Sequence, residues 1–185
     1  TTRPLQRATI SIPESGAIDV QLGDTMGGTV APVTLTIEAG DLAADNGSGA
    51  VVTGEVNIVY TSWDPAVDPP SALPSDFVAT DAPIYSFGMF RVEFYQEDNV
   101  LNVRTGQTIK FEQVVHPTRR ARARDAVARE AIKVSSFDHN SGLWVIEDAI
   151  TAFAEETGVL TAEATHFSCK NMTERGPYPA NSCMN

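Results

Sequence analysis

Three histidines and two cysteines are the only imidazole and thiol ligands in this sequence of 185 residues. His116, His139 and His166 lie far apart, and none has a His, Cys or Glu partner at ligand spacing, so no zinc site and no other metal is expected. A phosphate-cradling glycine loop, a Gly-x-Ser-x-Gly elbow and a paired-carboxylate motif are also missing, and no cofactor is expected. No apolar run approaches the ~20 residues that a bilayer requires, so the sequence carries no membrane-spanning segment. Basic residues are scarce. Thirteen Lys and Arg stand against 24 Asp and Glu, and the formal net charge of −11 argues against nucleic acid or an anionic membrane surface as partner. Internal repeats, heptads and low-complexity tracts are absent.

What the sequence does contain is a series of short strand signals separated by Gly, Pro, Asp and Asn. Val33 to Ile37 alternates apolar and polar residues. In Gly54 to Tyr60, the side chains of Val56, Ile58 and Tyr60 share one face. Phe90 to Tyr95 turns Phe90, Val92 and Phe94 inward and Arg91 and Glu93 outward, and Thr108 to Glu112 repeats that logic with Ile109 and Phe111. Ala8 to Ile12, Ile132 to Phe137, Leu143 to Ile146 (with Trp144) and Val159 to Ala164 are further strands. The expected fold is all-β, a Greek-key-like β-sandwich with one short helical or loop insertion. Its bounds are residues 1–168, as one unit or two sub-domains, followed by a tail over 169–185.

Two segments break the pattern. Residues 62–83 hold Pro65, Pro69, Pro70, Pro74 and Pro83, too many missing backbone donors for a central strand, and read as a long surface loop. Pro117 to Glu130 contains Arg119, Arg120, Arg122 and Arg124, a basic run of good helix formers. It reads first as a solvated helical face. The sharper reading is a processing or docking loop, because Arg119 to Arg122 matches the Arg-x-x-Arg pattern of secretory convertases. Asp138-His139-Asn140-Ser141-Gly142 has the start of a calcium loop but no bidentate carboxylate at its far end, and a turn is the favoured reading.

Cys169 and Cys183 are the sole cysteine pair and fall in a Gly/Pro-rich tail, where a disulfide between them would pin an end that otherwise frays. Asn46-Gly47-Ser48 and Asn171-Met172-Thr173 match the N-glycosylation pattern in turn-like surroundings. The start at Thr1-Thr2-Arg3 reads as a mature terminus or an excised piece. Together these features favour an oxidising compartment, and the expected location is secreted or on the outer face of the cell surface.

Val33 to Leu42, Val52 to Ile58 and Trp63-Asp64-Pro65, then Tyr85 to Phe94, then Asp138 to Trp144, and finally Thr165-His166-Phe167-Ser168 follow one another in an order that resembles the extracellular module of cartilage intermediate layer proteins and related surface proteins. The resemblance spans roughly Val33 to Ser168. It implies a β-rich module with a matrix or cell-surface role, whose partners are other extracellular proteins or neighbouring domains of the same chain.

His166-Phe167-Ser168 on its own is similar to the cleavage site of self-cleaving domains in certain death-domain and inflammasome proteins. That similarity implies Ser168 as nucleophile, Phe167 as acyl donor and His166 as activating base, which is single-turnover autoproteolysis at most. The residues themselves permit it: a serine hydroxyl beside its own upstream carbonyl can attack a strained peptide, and an imidazole two residues away can take the proton. The plainer alternative is a final strand with Phe167 buried. The leading expectation is therefore a structural or adhesive module, with self-processing at Phe167-Ser168 and calcium or glycan binding as alternatives.

Overall fold

Alternation of apolar and polar residues produces strands here wherever one face has a partner sheet to bury it. The computed structural model describes residues 5–23, 32–44, 47–68, 79, 83–147, 152–167 and 169–175. Its strands are β1 (Gln6–Ile12), β2 (Ala17–Leu22), β3 (Val33–Glu38), β4 (Leu42–Ala43), β5 (Gly54–Trp63), β6 (Ile84–Gln96), β7 (Asn99–Val103) and β8 (Ile109–Val114). After a 3-10 turn at Pro117–Arg119 and helix α1 (Arg120–Ala128) come β9 (Ile132–Asp138), β10 (Leu143–Glu147), β11 (Ala152–Ala154), β12 (Val159–Ala164) and β13 (Cys169–Arg175).

These strands make two antiparallel sheets. The larger runs β1-β5-β6-β13-β9-β10, with β7 pairing β6 and β4 pairing β7, and the smaller runs β11-β12-β8-β3-β2. One core lies between them: Val56, Ile58, Tyr60, Phe90, Val92 and Phe94 from the larger sheet meet Leu35, Ile37, Ile109, Phe111 and Leu160 from the smaller. The eight side chains expected inside, Val56, Ile58, Tyr60, Val92, Phe94, Ile109, Phe111 and Trp144, are all buried. The all-β sandwich expectation holds, with α1 as the short helical insertion.

On the outer face of the larger sheet a second cluster joins Ile84, Met89, Trp144 and Cys169 to Ala79, which forms a parallel bridge with Trp144. The proline-rich connection starts later than expected, because Ser62 and Trp63 complete β5 opposite Phe90 and Met89. At Ala79 it covers the sheet.

The expected boundary at residue 168 does not follow the fold. Residues 169–175 are no tail: β13 is inserted between β6 and β9 and hydrogen-bonded to both. Its sequence, Cys-Lys-Asn-Met-Thr-Glu-Arg, has no apolar alternation, yet every residue from Cys169 to Glu174 is buried.

Candidate functional site

β12 ends at Ala164, a bend follows at Thr165 and His166, and β13 begins at Cys169. This short crossing carries the His-Phe-Ser triplet. Phe167 is wedged into the core, its ring edge-to-face with Phe94 at 5.6 Å and within 6.4 Å of Phe90 and 6.3 Å of Phe111. His166 stays half-exposed and reaches Glu147 at the end of β10, Nε2 to Oε1 3.2 Å. Ser168, the expected nucleophile, lies outside the described residues.

Glu147 belongs to a buried polar cluster that the sequence did not flag. The Lys170 side chain is 0 % exposed. Its Nζ donates to Ser136 Oγ at 2.6 Å and to Glu147 Oε2 and Oε1 at 2.9 and 3.1 Å, and lies 3.4 Å from His166 Nε2. Ser136 Oγ in turn donates to Glu147 Oε1 at 2.6 Å. Burial holds the Lys170 amine below the ordinary lysine range, with the Glu147 carboxylate opposing the shift. Burial and the neighbouring Lys170 likewise lower the His166 imidazole, again against Glu147. A lysine in a stretch that reads as tail and a glutamate at a strand end carry no signal of this convergence, which depends on the placement of β13 beside β9.

The rest of β13 is similarly bonded. Asn171 Oδ1 accepts from Ser86 Oγ at 2.6 Å, and Thr173 Oγ1 and Ser135 Oγ share a bond of 2.7 Å. Glu174 accepts from Arg122 Nε at 2.6 Å and from Arg129 Nη2 at 2.8 Å. Asn171 is therefore not in a turn. At 1 % exposure inside a central strand, the folded chain does not present it as a glycan acceptor. Asn46 lies outside the described residues. So does Cys183, and with it the expected disulfide; Cys169 is buried, and burial raises its thiol, with Arg91 opposing.

Most of the arginine run is not a solvated face either, although Arg124 is 53 % exposed. Arg119 donates to the carbonyls of Ser86 and Pro65, Arg120 to that of Val115, and Arg124 to Glu155. Arg119 and Arg122 both stack over Tyr85, at 4.8 and 3.7 Å. The segment from Arg119 to Arg122 is wound into helix, whereas a convertase reads an extended strand. Asp138 makes the favoured turn: its Oδ1 accepts from the Asn140 amide and its Oδ2 from Ser141. Among the described residues no three His, Cys, Asp or Glu side chains converge closely enough to hold a metal, and no helix is long and apolar enough to cross a membrane. Comparison with protein-family models, with characterised proteins and with solved structures found no match to this chain.

Proposed function

We propose that the chain is an extracellular structural or adhesion module of a larger cell-surface or matrix protein. The observation that supports this reading is the use β13 makes of its buried polar side chains. Lys170 ties the strand to β9 and β10, Asn171 to β6, Thr173 to β9 and Glu174 to α1. Interior polar groups engaged this way rigidify a sheet and hold its strands in one register. They serve cohesion rather than a substrate. The test is retention by extracellular matrix: the labelled folded chain applied to decellularised matrix should be held saturably and displaced by unlabelled chain. Retention that never saturates, or that a denatured control reproduces, overturns the proposal.

A second reading, self-processing at Phe167-Ser168, is favoured by one specific arrangement. The Phe167 ring is anchored among three others, Cys169 begins a central strand, and His166 between Glu147 and Lys170 is held toward its neutral, proton-accepting form. Ser168 Oγ would attack the Phe167 carbonyl carbon while His166 takes the hydroxyl proton. The bond from Phe167 C to Ser168 N would then break as His166 returns the proton to the departing amine, and water would hydrolyse the resulting ester. Peptide mapping should find a C-terminus at Phe167 and an N-terminus at Ser168 that vanish in Ser168→Ala. A wild-type chain without these termini after prolonged incubation at neutral pH refutes self-processing.

A further inference from the structure

Around the Glu147 carboxyl the fold assembles more than an ion pair needs. A fully buried amine touches both carboxyl oxygens at 2.9 and 3.1 Å, a hydroxyl donates to Oε1 at 2.6 Å, and an imidazole nitrogen stands 3.2 Å from the same oxygen and 3.4 Å from the amine. Nucleophile, electrophile, oxyanion donor and proton carrier are thus all present, each within 3.4 Å of the next and held by the fold. We propose that Lys170 and Glu147 condense to an intramolecular amide that staples the edge strand β10 to the central strand β13.

The step balances without any added reagent. In a buried site the proton of a Lys/Glu pair can pass to the carboxylate, leaving a neutral amine and a carboxylic acid. The lowered proton affinity of Lys170 acts in that direction. The amine lone pair attacks Glu147 Cδ, and Ser136 Oγ supports the negative charge that develops on Oε1. His166 Nε2 takes a proton from the attacking nitrogen and returns it to Oε2. The Cδ–Oε2 bond then breaks and one water leaves. The Nζ–Cδ amide remains, and the half-exposed His166 gives the water a route to solvent. The link spans β9, the strand lying between β10 and β13, and would close the chain from residue 147 to residue 170. A module that carries tension would gain from this, because β10 could no longer peel from the sheet.

Tryptic mapping of the folded wild-type chain, after denaturation, decides the matter. Trypsin acts at Lys133, Lys170 and Arg175, with no Lys or Arg between residues 134 and 169. An acylated Lys170 is not cut. The expected product is one peptide, Val134 to Arg175, lighter than its sequence by one water and fragmenting as a ring closed between Glu147 and Lys170. Lys170→Arg and Glu147→Ala should show no loss of water. Ser136→Ala and His166→Gln should form the bond about a hundredfold more slowly or worse in a refolding time course. Recovery of Val134–Lys170 and Asn171–Arg175 as separate peptides of full mass from the wild type overturns the proposal and leaves an ordinary ion pair. The result is independent of self-processing. A cut at Phe167-Ser168 would leave both halves joined through the staple, still uncut at Lys170, and would be recognised by its new termini.

Discussion

Phe94 tests the face assignment on which the sandwich rests. It is 1 % exposed, pairs across the sheet with Ile58 and Leu101, and meets the Phe167 ring edge-to-face. Phe94→Ala removes a whole ring from a closed core and should cost about 3–5 kcal/mol, lost burial and residual cavity together. About 0.5–1.5 kcal/mol of that belongs to the aromatic pair. For a chain of this size each kcal/mol lowers the melting temperature by about 2–4 °C, so a drop of roughly 6–20 °C is expected. Val100 provides the control. It sits opposite Tyr95 in the same hairpin but is 54 % exposed, and Val100→Ala should stay within about 0.5 kcal/mol of wild type. Urea unfolding followed by tryptophan fluorescence measures both, with unchanged slope if the unfolded states match. A loss below about 1 kcal/mol for Phe94→Ala, or equal losses for the two variants, refutes the assignment, because a one-residue error of register exchanges the faces.

Gly88 has φ of +147°, and a Cβ there would lie 2.0 Å from Gln113 Nε2, so Gly88→Ala should destabilise by about 1–3 kcal/mol in chemical unfolding and lose less in a Gln113→Ala background. Since the folded chain holds the His166 imidazole below its ordinary value of about 6.5, the unfolded chain binds that proton first. The stability this group contributes is complete above that value and lost as the pH falls below it, so melting temperatures taken between about pH 7.5 and about pH 5.5 should fall more steeply in wild type than in His166→Gln. Arg122→Ala should cost about 1 kcal/mol more than Arg129→Ala in the same assay, because Arg122 is 34 % exposed against 62 % and also stacks on Tyr85. Equal costs would show that the stacking adds nothing.

Where apolar residues alternate, the strands were legible in the sequence. β1, β3, β5, β6, β8, β9, β10 and β12 each carry such a pattern over part or all of their length, and β6 and β9 bury both faces where a second layer covers them. β4, β7 and β11 were not seen, and neither was β2, although Ile18, Val20 and Leu22 alternate there as cleanly as the apolar residues of β3. The two-residue β4 and three-residue β11 are too short to show a period, and β7 presents an exposed Val100 beside a buried Leu101. In the candidate site, His166 and Phe167 stood out because a triplet is local. Ser136, Glu147 and Lys170 come together only through strand order, which residue types do not encode. The arginine run misled for a related reason: a charge reads as solvated unless its partner is known, and Glu174 was hidden in a strand that had not been recognised.

β13 explains both failures and leads to the most demanding expectation. With β9, its register sets Lys170, Met172 and Glu174 opposite Ser136, Val134 and Ile132. As the strand docks, before any condensation, two buried charges of opposite sign therefore flank one apolar residue on the core-facing side, one matched by Glu147 and the other by Arg122 of α1 and Arg129 just after it. Buried ion pairs add little stability over apolar residues of the same size, but stranding one is costly, about 3–5 kcal/mol. A slip of β13 by one residue would strand both at once, so the charges fix the register where hydrophobic alternation does not. The position of the strand adds to this dependence. Among the described residues β6 and β9 are joined only through β13, so without it the β9–β10 hairpin keeps no strand of the larger sheet beside it, only the Ala79 bridge, and two strand edges lie open. A chain ending at residue 168 should thus lose cooperative unfolding and the near-ultraviolet dichroism of Trp144, and should aggregate at concentrations where the full chain stays in solution. Adding a peptide of residues 168–185 during refolding should restore part of the signal, because the same ladder bonds can form between two molecules. A truncated chain that melts cooperatively within a few degrees of the full chain would show that β13 is dispensable, and that its polar side chains do not hold the sheet together.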